Sequence, residues 1–290
     1  MIRLFVAGVL ALSGMATLGA AQEPTLPDVL SKAADYVSTY RSKVSGVSLE
    51  EAFILTPQTP GLAPVPKRVS SDLVLLNLGE RLIGLRDPFA VDGNALRERK
   101  PRVITRLTPP TMAAWSAVQA LSQENDNQFL ANVVLWYNDP VFALQFVEKR
   151  HQPGIIYKLD GKKKINNVQV VGIGYKEKQE KDKKYLFGTP GNPSSSGRIW
   201  VEPATGAIYQ IELWVQSESD TVRSEIKFAL DEKLGMVLPR EATHRFEWRG
   251  RGTGISNVDA SASGERISFD GSVKYSNPTY TPIDLAKMMR

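Results

Sequence analysis

Residues 197–215, GRIWVEPATGAIYQIELWV, decide the fold. Taken with the two-residue period of a strand, they set Ile199 and Val201 with Tyr209, Ile211, Leu213 and Val215 on one side. Trp200 and Trp214 fall on the other, beside Arg198, Gln210 and Glu212. Between them, Pro203 presets φ and Gly206 accepts a left-handed backbone, so EPATGA is a turn joining Ile199–Glu202 to Ala207–Val215. The result is a β-hairpin with one face for a core and one for water, the pattern of an antiparallel sheet covered on one side. Trp200 and Trp214, both on the polar face, are candidate surface contacts. Each is either strand-forming cover or part of a patch for a partner or membrane surface.

The same reading extends outward. From Gly154 the chain offers IIYKL, VQVVGIGYKEK, KKYLFG, the hairpin itself, TVRSEIKFAL, MVLPREATHRFEW and a run near RISFDGSVKY, with turn signals every eight to fifteen residues. In TVRSEIKFAL, Val222, Ser224, Ile226, Phe228 and Leu230 alternate with Thr221, Arg223, Glu225 and Lys227. Strand and long helix never alternate as a doubly wound parallel sheet requires.

The first half adds helices. Val29, Ala33, Val37, Tyr40 and Val44 recur at spacings of three and four, with Pro27 and Asp28 at the entry and Gly46 past the exit. From Val47 the period becomes two, and Glu51 among Leu49, Phe53 and Leu55 predicts an edge or partly exposed strand. TPQTPGLAPVPK reads as an extended loop. SSDLVLLNL, RLIGLRDPFAVDG and ALRERKPRVITRL read as three strands of a meander. TPPTMAAWSAVQALSQEND returns to helix, with Met112, Trp115, Val118 and Leu121 on one stripe. A third short helix begins at Asp139-Pro140, where Asp caps and Pro suits the first position. Its Val141, Phe142, Leu144, Phe146 and Val147 are apolar on nearly every side, so it must be enclosed. The whole predicts an α+β domain, a twisted antiparallel sheet whose apolar face is covered by two or three helices.

Residues 1–21 carry Arg3, an apolar run from Leu4 to Leu12 and small residues near Ala21, the features of a secretory signal peptide cleaved after Ala21. The run is too short and too broken by Gly8, Ser13 and Gly14 for a retained membrane anchor. The mature chain, residues 22–290, is then expected to be one domain, periplasmic or secreted, without a transmembrane segment. Among 290 residues there is no cysteine, so no disulfide supports the fold and no lipidated cysteine can arise at the cleavage point. A net charge of +5, with 36 Lys and Arg against 31 Asp and Glu, is mildly basic and not that of a nucleic-acid binder.

At the hairpin a resemblance emerges. WVEPATG, a tryptophan, an apolar residue, an acid and a P-x-T-G turn followed by an acidic-apolar strand, resembles the lipoprotein-sorting sequences related to LolA, LolB and RseB. The order of elements is similar to theirs, and DPFAVDG and GRIWVEPATG look like segments of a broad group of exported bacterial proteins with this fold. The resemblance implies a curved antiparallel half-barrel with helices on its concave face, in the periplasm. It also implies a lipid, lipoprotein acyl chain or peptide held between sheet and helices. No catalytic residues come with it.

The residue inventory argues against an enzyme. There is no cysteine nucleophile, no G-x-S-x-G elbow, and the two histidines, His151 and His244, lack metal-type spacing and read as partly exposed strand or loop residues. Glu50 and Glu51 point to opposite faces, a poor pair for acid–base work. GIG at 172–174 and RGRGTG from Arg249 read as bulges or turns, the second a flexible basic loop. KEKQEKDKK reads as a solvated hairpin tip, and DGKKK at Asp160 as a polar turn. No cofactor, metal or nucleic acid is expected. The functional expectation is an exported, non-catalytic protein with a cavity lined by Tyr36, Tyr40, Trp115, Phe228 and Phe246. The alternative is a cell-envelope interaction or scaffold protein with a solid core, acting through an envelope protein partner on the Trp200 and Trp214 face or the basic loop. An exported hydrolase with a buried histidine beside a carboxylate is the third reading.

Overall fold

The computed structural model describes residues 23–58, 63–126, 139–178, 194–216, 220–249 and 266–285. Residues 1–22, expected as a signal peptide, KKYLFG, expected as a strand, most of KEKQEKDKK and the segment after Arg249, expected as a basic loop, lie outside the described residues.

α1 (Leu26–Lys43) starts where Thr25 accepts a hydrogen bond from the Asp28 N–H, and ends where Gly46 turns the chain with φ +94°. Gly46 is required twice over, because a Cβ there would sit 1.8 Å from the Thr281 carbonyl oxygen. The strands follow as β1 (Val47–Gln58), β2 (Lys67–Asn77), β3 (Leu82–Val91) and the two-residue β4 (Asn94–Ala95). Then come α2 (Arg102–Arg106), α3 (Met112–Asp126) and a 3-10 helix (Phe142–Val147). The second half is β5 (Ile155–Ile165), β6 (Val168–Glu177), β7 (Ser194–Val201), β8 (Ile208–Gln216), β9 (Asp220–Asp231), β10 (Met236–Arg249) and β11 (Arg266–Tyr280).

Among the described residues, the strands form one antiparallel sheet of eleven in the order β4-β3-β2-β1-β11-β10-β9-β8-β7-β6-β5. The chain therefore enters mid-sheet at β1 and meanders to the β4 edge. It then crosses through the helices to the β5 edge and meanders back, so that β11 closes against β1. The sheet is curved and unclosed, as expected for an α+β half-barrel.

Its concave face carries one continuous apolar layer, including Leu49, Leu73, Ile211, Ile226, Phe246 and Val273, with α1 and the 3-10 helix set against it. The 3-10 segment is enclosed as its composition demanded, but it begins at Phe142 and not at Asp139-Pro140: its N-cap is Val141, with no side-chain cap bond, and Asp139 accepts the Val141 N–H at 3.0 Å just ahead of it. α3 lies elsewhere. Leu73 and Leu75 of β2 face the main layer, while Val74 and Leu76 face a second cluster holding Trp115, Val118 and Leu121.

Three strand-level expectations are corrected. β1 is a central strand between β2 and β11, and Glu51 is fully buried in it. The ALRERKPRVITRL segment is a strap, not a strand: Arg97 and Arg102 both reach Asp87, at 2.7 and 2.6 Å, and Arg99 reaches Glu50 and Asp72. DGKKK is not the turn, because β5 runs on through a bulge after Leu159 to Asn166 and Asn167, whose φ values of +48° and +65° make the reversal.

Candidate functional site

The hairpin positions the covering helix. Ile199, Val201, Tyr209, Ile211, Leu213 and Val215 all face the apolar layer, as their alternation required. At the turn, Gly206 adopts φ +79° and approaches α1 so closely that a Cβ would stand 2.2 Å from the Lys32 carbonyl oxygen. The Lys32 ammonium in turn donates to the Pro203 carbonyl at 2.9 Å. The PATG turn is thus a seat for α1, and α1 presents Tyr36 and Tyr40, stacked with centroids 5.5 Å apart, toward the sheet.

Of the expected lining residues, Tyr40, Phe228 and Phe246 belong to this concave layer and Tyr36 packs against it. Trp115 does not join them; it is buried in the second cluster, on the other side of β2. Burial raises the pKa of both tyrosines, and the Tyr40 hydroxyl lies buried without a hydrogen-bond partner. On the 3-10 helix, Phe146 stacks on Tyr175 of β6 at 4.5 Å, and its carbonyl accepts the Tyr157 hydroxyl.

A polar group is embedded in the same face. Arg86 donates to both oxygens of Glu51, from Nε at 2.9 and 2.7 Å and from Nη2 at 2.8 Å, and Ser71 donates to Oε2 at 2.7 Å. Burial opposes the Arg86 charge, but the Glu51 charge and hydrogen bonds outweigh it and raise its pKa. Asp139, part-buried, accepts the Gly84 N–H at 3.0 Å besides the Val141 N–H, and burial raises its pKa against those bonds. Glu50, by contrast, lies outside with Arg99 and Asn277, so the two glutamates do face opposite ways. The sequence signal for this group was a single acid in the inward set of β1 and a single arginine in that of β3.

His244 also differs from expectation. It is buried on the face shared by Ala242 and Phe246, its Nδ1 2.9 Å from the Ser224 hydroxyl and its Nε2 without a partner. Burial, then the Arg86 charge, lowers its pKa from 6.5 to about 3. The unfolded chain therefore binds a proton at this site below pH 6.5 that the native state refuses until about pH 3. His244 contributes a loss of stability as pH falls through that window, approaching about 1.4 kcal/mol per pH unit. Urea unfolding across pH 7 to 4 is expected to show this slope flattened by up to one proton in His244→Gln. An unchanged slope would contradict it. His151 does sit in a partly exposed turn, its Nε2 4.0 Å from Glu148.

The outward face of the hairpin is half as expected. Trp214 is 48% exposed. Trp200 is only 6% exposed and belongs to the main buried cluster, with Lys163, carried past the bulge in β5, over its ring at 4.0 Å. Arg198 lies over the same ring at 5.2 Å, and Glu212 accepts the indole N–H at 2.8 Å. Trp200 is therefore closed off by its own neighbours.

A cleft of about 280 Å³ opens between α1, the β2–β3 turn and the end of the 3-10 helix. Arg41, Lys149 and Arg150 line it, interleaved with Asp35, Glu80 and Glu148. Among the described residues, no three His, Asp or Glu side chains are placed to hold a metal ion, and no helix is long and apolar enough to cross a membrane.

Likenesses among solved structures are remote. The chain is similar to a LolA superfamily protein. That structure, from Nitrosomonas europaea, is 13% identical, with 92% of this chain and 97% of that one covered and a TM-score of 0.35. An outer membrane lipoprotein-sorting protein domain from Vibrio parahaemolyticus is 9% identical over 87% and 93%, with a TM-score of 0.36. A DUF1329 family protein from Desulfovibrio piger is 11% identical over 90% and 97%, with a TM-score of 0.34. No family model and no characterised protein matches the sequence. At these identities no functional residue is carried over from the LolA-like structures.

Proposed function

We propose that this chain is an exported, non-catalytic LolA-like protein that holds a hydrophobic ligand between its sheet and its covering helices. The ligand class is a lipid, a lipoprotein acyl chain or an apolar peptide. The observation that carries the reading is the concave apolar layer of an unclosed sheet, covered on that face by α1 and a six-residue 3-10 helix. A cover in which one member is a single short 3-10 segment has weak backbone bonding of its own and depends on side-chain packing. Tyr36, Tyr40, Phe228 and Phe246 are the proposed lining, which their place in or against the concave layer supports, and the Tyr40 hydroxyl, buried without a hydrogen-bond partner, is the proposed contact for an ester or amide of the ligand. Trp115 serves the second cluster and is not part of it.

The features of residues 1–21 support delivery to the periplasm or secretion as a single domain spanning residues 22–290. Absence of catalysis is supported by the histidines: His244 is enclosed and held neutral, and His151 sits in a turn between charged neighbours. Titration of the mature protein with a fluorescent fatty acid tests the reading. It is expected to show saturable, one-to-one enhancement reversed by unlabelled acyl chain, and a strictly linear response would overturn it.

A second reading is an envelope interaction or scaffold protein with a solid core. It is favoured by the packing of Tyr40, Phe228 and Phe246 among this chain's own side chains, and its contact residue is the exposed Trp214. Failure of the acyl titration with the fold intact selects it.

A further inference from the structure

We propose that the cleft between α1, the β2–β3 turn and the end of the 3-10 helix binds a phosphate ester. Three cations, Arg41, Lys149 and Arg150, line it, and each is held by a carboxylate of this chain. These carboxylates are of two kinds. Glu148 is buried and built in, 3.2 Å from Arg41 Nη1 and accepting Arg150 Nε at 2.7 Å. Glu80 and Asp35 are outer partners, with side chains 87% and 63% exposed, taking Arg150 Nη1 at 2.9 Å and Lys149 Nζ at 2.7 Å.

Exposed pairs of that kind contribute little and exchange readily with another anion. When the Glu80 and Asp35 carboxylates swing out, the Glu80 carbonyl still accepts Arg41 Nη1 at 2.8 Å and Arg150 Nη2, but Arg150 Nη1 and Lys149 Nζ are released toward the cleft, where three cations face one carboxylate. Behind this lining, Arg41 Nε is buried without a hydrogen-bond partner, and His151 Nε2, also without a hydrogen bond, lies 4.0 Å from Glu148. Two guanidinium groups with an ammonium suit a tetrahedral oxyanion, which arginine meets in bidentate fashion. Ligand pockets for drug-sized molecules run roughly 300–1,000 Å³, so about 280 Å³ suits a headgroup-sized ester.

The ester could come from a lipid headgroup or a free phosphate compound. Calorimetric titration of the mature protein with glycerol 1-phosphate at low salt, and co-sedimentation with phosphatidylglycerol against phosphatidylcholine vesicles, separate the two. Saturable binding of glycerol 1-phosphate assigns a free phosphate compound, and binding to phosphatidylglycerol vesicles alone assigns a headgroup. In either arm Arg150→Ala weakens binding at least tenfold, Lys149→Ala at least threefold, and Glu80→Gln strengthens it at least twofold by removing the competing carboxylate. Lys233→Ala, which deletes an equal charge at the distant β9–β10 turn, leaves it unchanged. The proposal is overturned if neither probe binds, or if Lys233→Ala weakens binding as much as Lys149→Ala. The soluble ester has no acyl chain, so this result is independent of the fatty-acid titration.

Discussion

Arg86→Met is expected to lower the unfolding free energy by about 3–5 kcal/mol, the usual consequence of leaving one member of a buried ion pair without its partner. Glu51 would keep the Ser71 hydrogen bond but lose three bonds from the guanidinium, inside a strand with neighbours on both sides. The pair itself need not be net stabilising, since its attraction offsets the cost of removing both charges from water. Hence the double variant Glu51→Leu with Arg86→Met is expected to recover most of the loss. Urea unfolding of the parent, both single variants and the double variant measures this as a coupling energy. Additive losses would contradict the account.

Phe146→Ala is expected to cost about 3–5 kcal/mol, combining lost apolar transfer with the cavity left behind. Phe146 is fully buried on the short 3-10 helix and stacks on Tyr175, so its ring is the main link between that segment and β6. Because the helix has only six residues, little backbone bonding remains to hold it when the ring is gone. Amide exchange is therefore expected to rise in residues 142–147 beyond the rise in β5 and β6. A loss under about 1 kcal/mol, with exchange unchanged, would show that the segment is not held by this contact.

The hairpin at 197–215 was legible because two local rules agree there: strand alternation sorted its side chains, and Pro203 with Gly206 fixed the turn. The seat that Gly206 makes for α1 was not, since nothing local to the turn names a helix some 170 residues earlier. α1 and the 3-10 segment were legible from their apolar spacing, although the second starts at Phe142 and not at Asp139-Pro140. Glu51 misled because a charge in an inward set usually marks an exposed edge, and its cover, Arg86, lies two strands away in the sheet order. Trp200 was read as a surface contact, but it is buried in the main cluster, with Lys163 brought across it by a bulge in β5. Trp115 shows the same limit: its stripe predicted burial, while the face of the sheet it joins depends on how the strap of Arg97, Arg99 and Arg102 is pinned. The cleft was invisible in the sequence because Arg41, Glu80 and Arg150 come from three separate segments.

The most direct test of the central claim is native mass spectrometry of the mature protein purified from its own compartment without detergent, with lipid extraction of the same sample. The account predicts a stoichiometric adduct that extracts as a lipid, acylated peptide or apolar peptide. A bare polypeptide mass, with nothing extracted, would contradict it and leave a solid-core interaction module.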